Sequence, residues 1–211
     1  VFPVLIVVLF CISFSINDSK IALVSAVCGI GYTILAGKGK VSCYFIGLCG
    51  TLCYSFLAYK NGLYGNLALY MLYYFPMQVF GIFKWKKHLK KDVQEIVKTT
   101  LGVRERVVYF FVAGVLSLGA AVLLVRAGGA TPFADAFTVV FSVLGMLLTV
   151  KRCYEQWFVW LLVNAVSLYM WIVAYMNGSN CFATAYMWLV YLLLAVYFMF
   201  SWKKEIDDEI V

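Results

Sequence analysis

The chain has 211 residues, 64% of them apolar and only 13% charged, with a formal net charge of +7. A soluble domain is nearer half apolar and a quarter charged, so this composition excludes a water-soluble globule and leaves apolar surface that must face lipid. In a membrane protein the surplus of Lys and Arg sorts to cytoplasmic loops, so the positive charge does not point to nucleic acid.

Eight apolar segments follow one another, at about 2–14, 20–36, 41–59, 63–84, 107–125, 134–150, 156–175 and 181–201. Val107–Val125, Trp157–Tyr175 and Phe182–Phe200 carry no charge. Each is close to the ~20 residues that cross a ~30 Å hydrocarbon core. The chain opens at Val1 rather than Met. Its first segment is short for a span and reads as the remainder of something longer, with no secretory cleavage signal. Turn residues separate the segments at Asn17-Asp18-Ser19, Gly37-Lys38-Gly39-Lys40, Lys60-Asn61-Gly62, Gly128-Gly129 and Asn177-Gly178-Ser179-Asn180. The one long connection, 85–106, is Lys-rich and reads as a partly helical cytoplasmic linker. In lipid a helix satisfies its own backbone, whereas a β-barrel would show ~10-residue alternating segments. The fold class is therefore an all-α polytopic membrane protein of about eight transmembrane helices.

Charge fixes the expected topology. With a cytoplasmic N-terminus and every segment crossing, the inside loops hold Lys38 and Lys40, the basic residues from Lys84 to Arg106, Lys151 and Arg152, and Lys203 and Lys204. The outside loops hold Lys20, Lys60 and Arg126. Both termini are then cytoplasmic.

The chain also resembles itself at an offset of 116 residues. Tyr59, Asn61 and Gly62 match Tyr175, Asn177 and Gly178; Tyr70-Met71 matches Tyr186-Met187, and Gly29 matches Gly145. At 117, Trp85-Lys86-Lys87 nearly repeats as Trp202-Lys203-Lys204. The expected organisation is an extra N-terminal helix (1–19), a first three-helix repeat (20–84), the basic linker (85–106), a linking helix (107–125), a second repeat (134–201) and a cytoplasmic tail (202–211). One linking helix gives both halves the same orientation, the parallel-repeat arrangement of SWEET-type transporters.

Catalytic equipment is nearly absent. The only histidine, His88, lies in the basic linker and reads as a solvated loop residue. HExxH, GxSxG and Walker A patterns are lacking: Gly37-Lys38 is followed by Gly39, and position 32 is Tyr. The seven cysteines form no CxxC pair and read as small packing residues. Asp18, Asp135 and Glu155 stand at predicted helix ends rather than at mid-depth, which favours uncoupled facilitated diffusion. No enzyme activity, metal or cofactor is expected.

Polar residues inside the spans carry the remaining signal. Gln78 lies in the fourth segment, with Tyr74 and Tyr70 one and two turns before it. Asn164 lies near the middle of the seventh, with Trp160 and Trp157 before it and Ser167 and Trp171 after it; Gln156 begins that helix. Trp188 and Tyr191 share a face of the eighth. An amide in lipid needs a partner. Gln78 and Asn164 can bond neighbouring helices, and the tryptophans can face lipid. Alternatively an amide set in an aromatic stripe lines a ligand cavity, where aromatic faces stack flat rings and attract cations and amides read ring substituents or ribose hydroxyls. Pro76 interrupts the fourth helix near Gln78 and frees a carbonyl at about Leu72, as a packing kink or a hinge.

The stretch Gly65-Asn66 … Tyr70 … Tyr74 … Gln78 … Gly81-Ile82 … Trp85-Lys86 resembles a motif of the PnuC family of bacterial nicotinamide riboside transporters. So does Glu155-Gln156-Trp157 through Asn164, with its Trp-x-x-Trp-x-x-x-Asn pattern. The resemblance spans about 20–204. It implies a bacterial inner-membrane protein with a SWEET-like 3 + 1 + 3 core and an extra N-terminal helix, assembled as a homo-oligomer, a trimer. It implies uptake of nicotinamide riboside (vitamin B3) for NAD biosynthesis by facilitated diffusion, with trapping by cytoplasmic phosphorylation. The flat pyridinium suits Trp157 and Trp160, and the carboxamide and ribose suit Gln78 and Asn164. Thiamine or another flat heterocycle is the alternative cargo. A membrane anchor that docks a cytoplasmic partner through the linker is a different class of reading, separated by co-purification.

Overall fold

The computed structural model describes residues 20–60, 67, 69–90, 95–126, 128, 131–177 and 182–210. The first segment, the turns at Asn17-Asp18-Ser19 and Asn61-Gly62, the Gly65-Asn66 pair, Gly129 and Gly178-Ser179-Asn180 lie outside these residues.

Among the described residues the chain is all-helical: α1 Lys20–Gly37, α2 Ser42–Lys60, α3 Phe75–Lys86, α4 Val103–Arg126, α5 Pro132–Lys151, α6 Glu155–Met176 and α7 Phe182–Ile210. Val, Ile and Phe are indifferent helix formers in water, but lipid leaves an uncurled backbone no partner and overrides that preference. Val103–Arg126, Pro132–Lys151, Glu155–Val173 and Ala185–Asp208 are long and apolar enough to cross a membrane, and Leu23–Gly37 and Ser42–Phe56 are shorter apolar helices. The chain divides into two compact units, Val1–Val97 and Lys98–Val211.

In the first unit α1 packs on α2, and α2 on the segment leading through α3. Pro76 cannot donate to the carbonyl of Leu72. The backbone widens there into a π-helix, Leu69–Tyr74, and restarts as α3 with Pro76 in its first turn, where no amide donor is needed. Tyr44 and Trp85, both fully buried, meet edge to face at 4.9 Å.

In the second unit α4 packs on α5, α5 on α6 and α6 on α7. The face that α4 buries is small, Ala113, Ser117 and Ala121 at four-residue spacing, which lets helices approach closely. Its large side chains, among them Phe111, Val115, Leu118 and Leu123, are exposed, as a lipid-facing surface requires. The core gathers Phe141, Leu144, Leu148, Val159 and Val163.

Each unit closes one helix-to-helix turn in the same way. In the first, Gly39 takes a left-handed φ of 67°, its N–H bonds Ala36 O and that of Lys40 bonds Leu35 O, both at 2.9 Å. In the second, Arg152 takes φ 64°, its N–H bonds Thr149 O at 2.9 Å and that of Cys153 bonds Leu148 O at 3.0 Å. These are C-terminal capping motifs that glycine normally fills. Buried Arg152 fills this one at some strain, and burial lowers the pKa of its guanidinium.

The long connection is helical only at its two ends among the described residues. α3 ends at Lys86, and residues 95–102 run as an extended strap rather than a helix. Ile96 N–H bonds Gly39 O in the first unit, and Thr99 N–H bonds Arg152 O in the second, both at 3.0 Å. Tyr154 N–H returns to Thr99 O at 2.8 Å. His88 Nδ1–H donates to Lys84 O at 2.7 Å. α4 begins at Val103, four residues before the expected apolar segment, because Arg106 is held by Glu155 at 2.7 Å. α7 continues through Trp202 to Ile210, so residues 202–210 of the expected tail are helical.

Candidate functional site

In the first unit Gln78 is buried on α3. Its Nε2–H donates to Thr51 Oγ1 of α2 at 2.9 Å, and its Oε1 has no hydrogen-bond partner among the described residues. Gly47, one turn before Thr51, makes the space: a Cβ there would lie 2.7 Å from the Tyr32 ring and 3.1 Å from Gln78 Oε1. Tyr70 stacks on Tyr54 at 4.2 Å and meets Tyr74 edge-on at 4.9 Å. The three residues expected on this helix therefore enter two groups, Gln78 with Thr51 and the tyrosines with one another.

In the second unit α6 carries Gln156, Trp157, Trp160 and Asn164. Trp157 is buried, 5.2 Å from Phe198 and 5.7 Å from Trp202 of α7, and its Nε1–H has no hydrogen-bond partner among the described residues. Gln156 is 1% exposed with its Nε2 unpaired. Trp160, partly exposed, turns toward α5. Its Nε1–H donates to Thr149 Oγ1 at 3.2 Å, and a Cβ on Gly145 would lie 2.9 Å from the indole. Asn164 follows one turn later, buried at 5% exposed. Buried Ser167 continues the face. Trp188 and Tyr191 meet edge to face at 5.8 Å on α7.

The charged end of this unit is committed to structure. Glu155, at the start of α6, accepts Arg106 Nε–H at 2.7 Å and Leu101 N–H at 3.1 Å, and it also complements the helix dipole. Lys98, nearly buried on the strap, pairs with Glu205 and lies 5.0 Å from the centroid of the Trp202 ring. Burial raises the pKa of the Cys153 thiol in the connection before α6. Among the described residues no group of His, Cys, Asp and Glu is placed to hold a metal.

Reasoning from sequence missed Thr51, Gly47, Tyr32, Thr149, Lys98 and Glu205. A legible signal existed for some of them: Gly47-x-x-x-Thr51 and Gly145-x-x-x-Thr149 each set a glycine and a threonine on one face of an apolar helix.

A family model described as nicotinamide mononucleotide transporter matches residues 19–204. The nicotinamide riboside transporter PnuC of Neisseria mucosa is 34% identical over 195 residues, covering 89% of this chain and 73% of its own. That of Haemophilus influenzae is 29% identical over 189 residues, covering 89% and 80%. The crystal structure of the vitamin B3 transporter PnuC superposes with a TM-score of 0.82 at 30% identity, over 98% of this chain and 90% of that one.

Proposed function

The chain belongs to the PnuC family of nicotinamide riboside transporters, and from that premise we propose that it carries nicotinamide riboside across the membrane by facilitated diffusion. The observation that carries this reading is α6, where partly exposed Trp160 is followed one turn later by buried Asn164 and preceded by buried Gln156, whose Nε2 has no hydrogen-bond partner among the described residues. A free amide in an apolar bundle costs free energy unless something polar comes to it. A pyridinium is a flat cation that stacks on indole, and its carboxamide or ribose offers both donors and acceptors to Asn164.

In the second unit Trp157, Gln156, Trp188 and Tyr191 join Trp160 and Asn164 in the proposed contact set. The first unit offers its own, with the open Gln78 carbonyl as acceptor and Tyr70 and Tyr74 as aromatic walls. The family model is described for the mononucleotide, but charge favours the riboside. α6 contains no Lys or Arg, and those of the neighbouring helices α5 and α7 stand toward their ends. A phosphate at mid-depth would lose its hydration with no cation to replace it. Uncoupled passage is supported by the carboxylates: Glu155 is spent on Arg106 and Leu101, and Asp135 accepts Thr131 Oγ1–H at 3.0 Å.

The finer reading has both termini in the cytoplasm of a bacterial inner membrane and eight spans with SWEET-like repeats. It also has trimeric assembly and trapping by phosphorylation, with no reaction on this chain. The matching turns at Gly39 and Arg152 support the repeat. They set its register there at 113 residues, against 116 at Tyr59 and Tyr175. Calorimetric titration of the detergent-purified protein with nicotinamide riboside, its mononucleotide and thiamine tests the cargo. Saturable binding of the riboside alone is expected; binding of either other ligand without the riboside overturns the assignment.

A further inference from the structure

Thr149 is 1% exposed on α5 and sits between two groups with opposite demands. Its hydroxyl donates to the carbonyl of Gly145 at 2.8 Å and accepts the indole N–H of Trp160 at 3.2 Å. A threonine hydroxyl has one proton. Here that proton is spent on Gly145, so toward Trp160 the oxygen can act only as an acceptor, which is what an indole N–H requires. Inside a bundle without water, the position of that acceptor selects the orientation of the ring.

Gly145 sets the second constraint. A Cβ there would lie 2.9 Å from Cε2, 3.0 Å from Cζ2 and 3.2 Å from Cδ2 of Trp160, so one face of the ring lies against bare glycine backbone. The ring also packs against the core cluster, so its edge and one face are fixed and only its partly exposed remainder is open to a stacking partner.

We propose that Thr149 and Gly145 are positioning residues of the transport site, which fix the Trp160 indole edge and face so that the exposed part of the ring meets the flat ring of the substrate. The inference rests on the reading that Trp160 touches nicotinamide riboside. It makes Thr149 a determinant of affinity although it reaches the substrate only through Trp160.

The test titrates nicotinamide riboside into purified wild type, Thr149→Val, Thr149→Ser, Gly145→Ala and Trp160→Ala, with thermal melting beside each. Thr149→Val keeps the shape and removes the acceptor. Dissociation constants should rise about tenfold for Thr149→Val, the worth of one hydrogen bond, and stay within about twofold for Thr149→Ser. Gly145→Ala should weaken binding and lower the melting temperature, because its Cβ displaces the indole. Equal losses for Thr149→Val and Thr149→Ser overturn the proposal, because packing rather than the hydroxyl would then matter. Wild-type binding by Thr149→Val beside lost binding by Trp160→Ala also overturns it and leaves the site reading intact. Wild-type binding by Trp160→Ala overturns the site reading, and the proposal with it.

Discussion

The two units solve one packing problem with their parts exchanged. In the first, the Gly47-x-x-x-Thr51 face belongs to α2, the second helix of the pair; Tyr32 of α1 lies over the glycine and the threonine accepts Gln78. In the second, the Gly145-x-x-x-Thr149 face belongs to α5, the first helix of the pair; Trp160 of α6 lies over the glycine and the threonine accepts its indole. Glycine, threonine and aromatic ring recur, but the ring changes helix. The difference teaches where polarity is kept open. Gln78 of the first unit gives an N–H to threonine and keeps its carbonyl open, whereas Gln156 of the second keeps its amide nitrogen open.

Substitutions can break this comparison one side at a time. The largest effect is expected from Gly81→Ala in the first unit, whose Cβ would fall 2.2 Å from the ring of fully buried Tyr44. Overpacking of this kind costs about 3 kcal/mol, read as a lower melting temperature of the purified protein. Next comes Trp160→Ala, which removes a desolvated cation–π contact of about 2 kcal/mol and should raise the riboside dissociation constant roughly thirtyfold, with a lower melting temperature from the lost packing on α5.

A smaller effect separates the two partners of the strap. Glu205→Gln leaves the Lys98 cation buried against Trp202 with a neutral partner, whereas Lys98→Met leaves Glu205 open to water on its 40% exposed side. Glu205→Gln should therefore destabilise by about 1 kcal/mol more than Lys98→Met, measured by chemical denaturation. The smallest effect is chemical. Burial raises the Cys153 pKa and so favours its neutral thiol in the fold. Its contribution to stability is full below the ordinary thiol pKa and is lost as pH rises through the raised one. Alkylation of Cys153 at pH 8 should be slower than that of the same thiol in denatured protein, followed by mass spectrometry.

What could be read in the sequence follows from what lipid makes one-dimensional. Long uncharged runs become helices because no other backbone state is satisfied there. Pro76 marks a break because its missing donor acts locally, and the π-helix stands at that place. Asn164 and Gln78 could be singled out because an amide in an apolar run is costly wherever it points. The partners of those residues were not legible. Thr149 meets Trp160 through the rotation of one helix against another, which a single chain does not display. The strap at 95–102 looked like a soluble linker because its bonds to Gly39 and Arg152 are made by backbone. Arg152 gave no turn signal, since its left-handed conformation is imposed on a residue that ordinarily avoids it.

The most direct test of uncoupled riboside transport is uptake of labelled nicotinamide riboside into proteoliposomes that contain this protein and no kinase. The label should enter until the inside and outside concentrations are equal, at a rate unchanged by removing sodium or collapsing a pH gradient, and the mononucleotide should stay out. Accumulation above the outside concentration that depends on either gradient would contradict that mechanism, and failure of the riboside to enter would contradict the cargo itself.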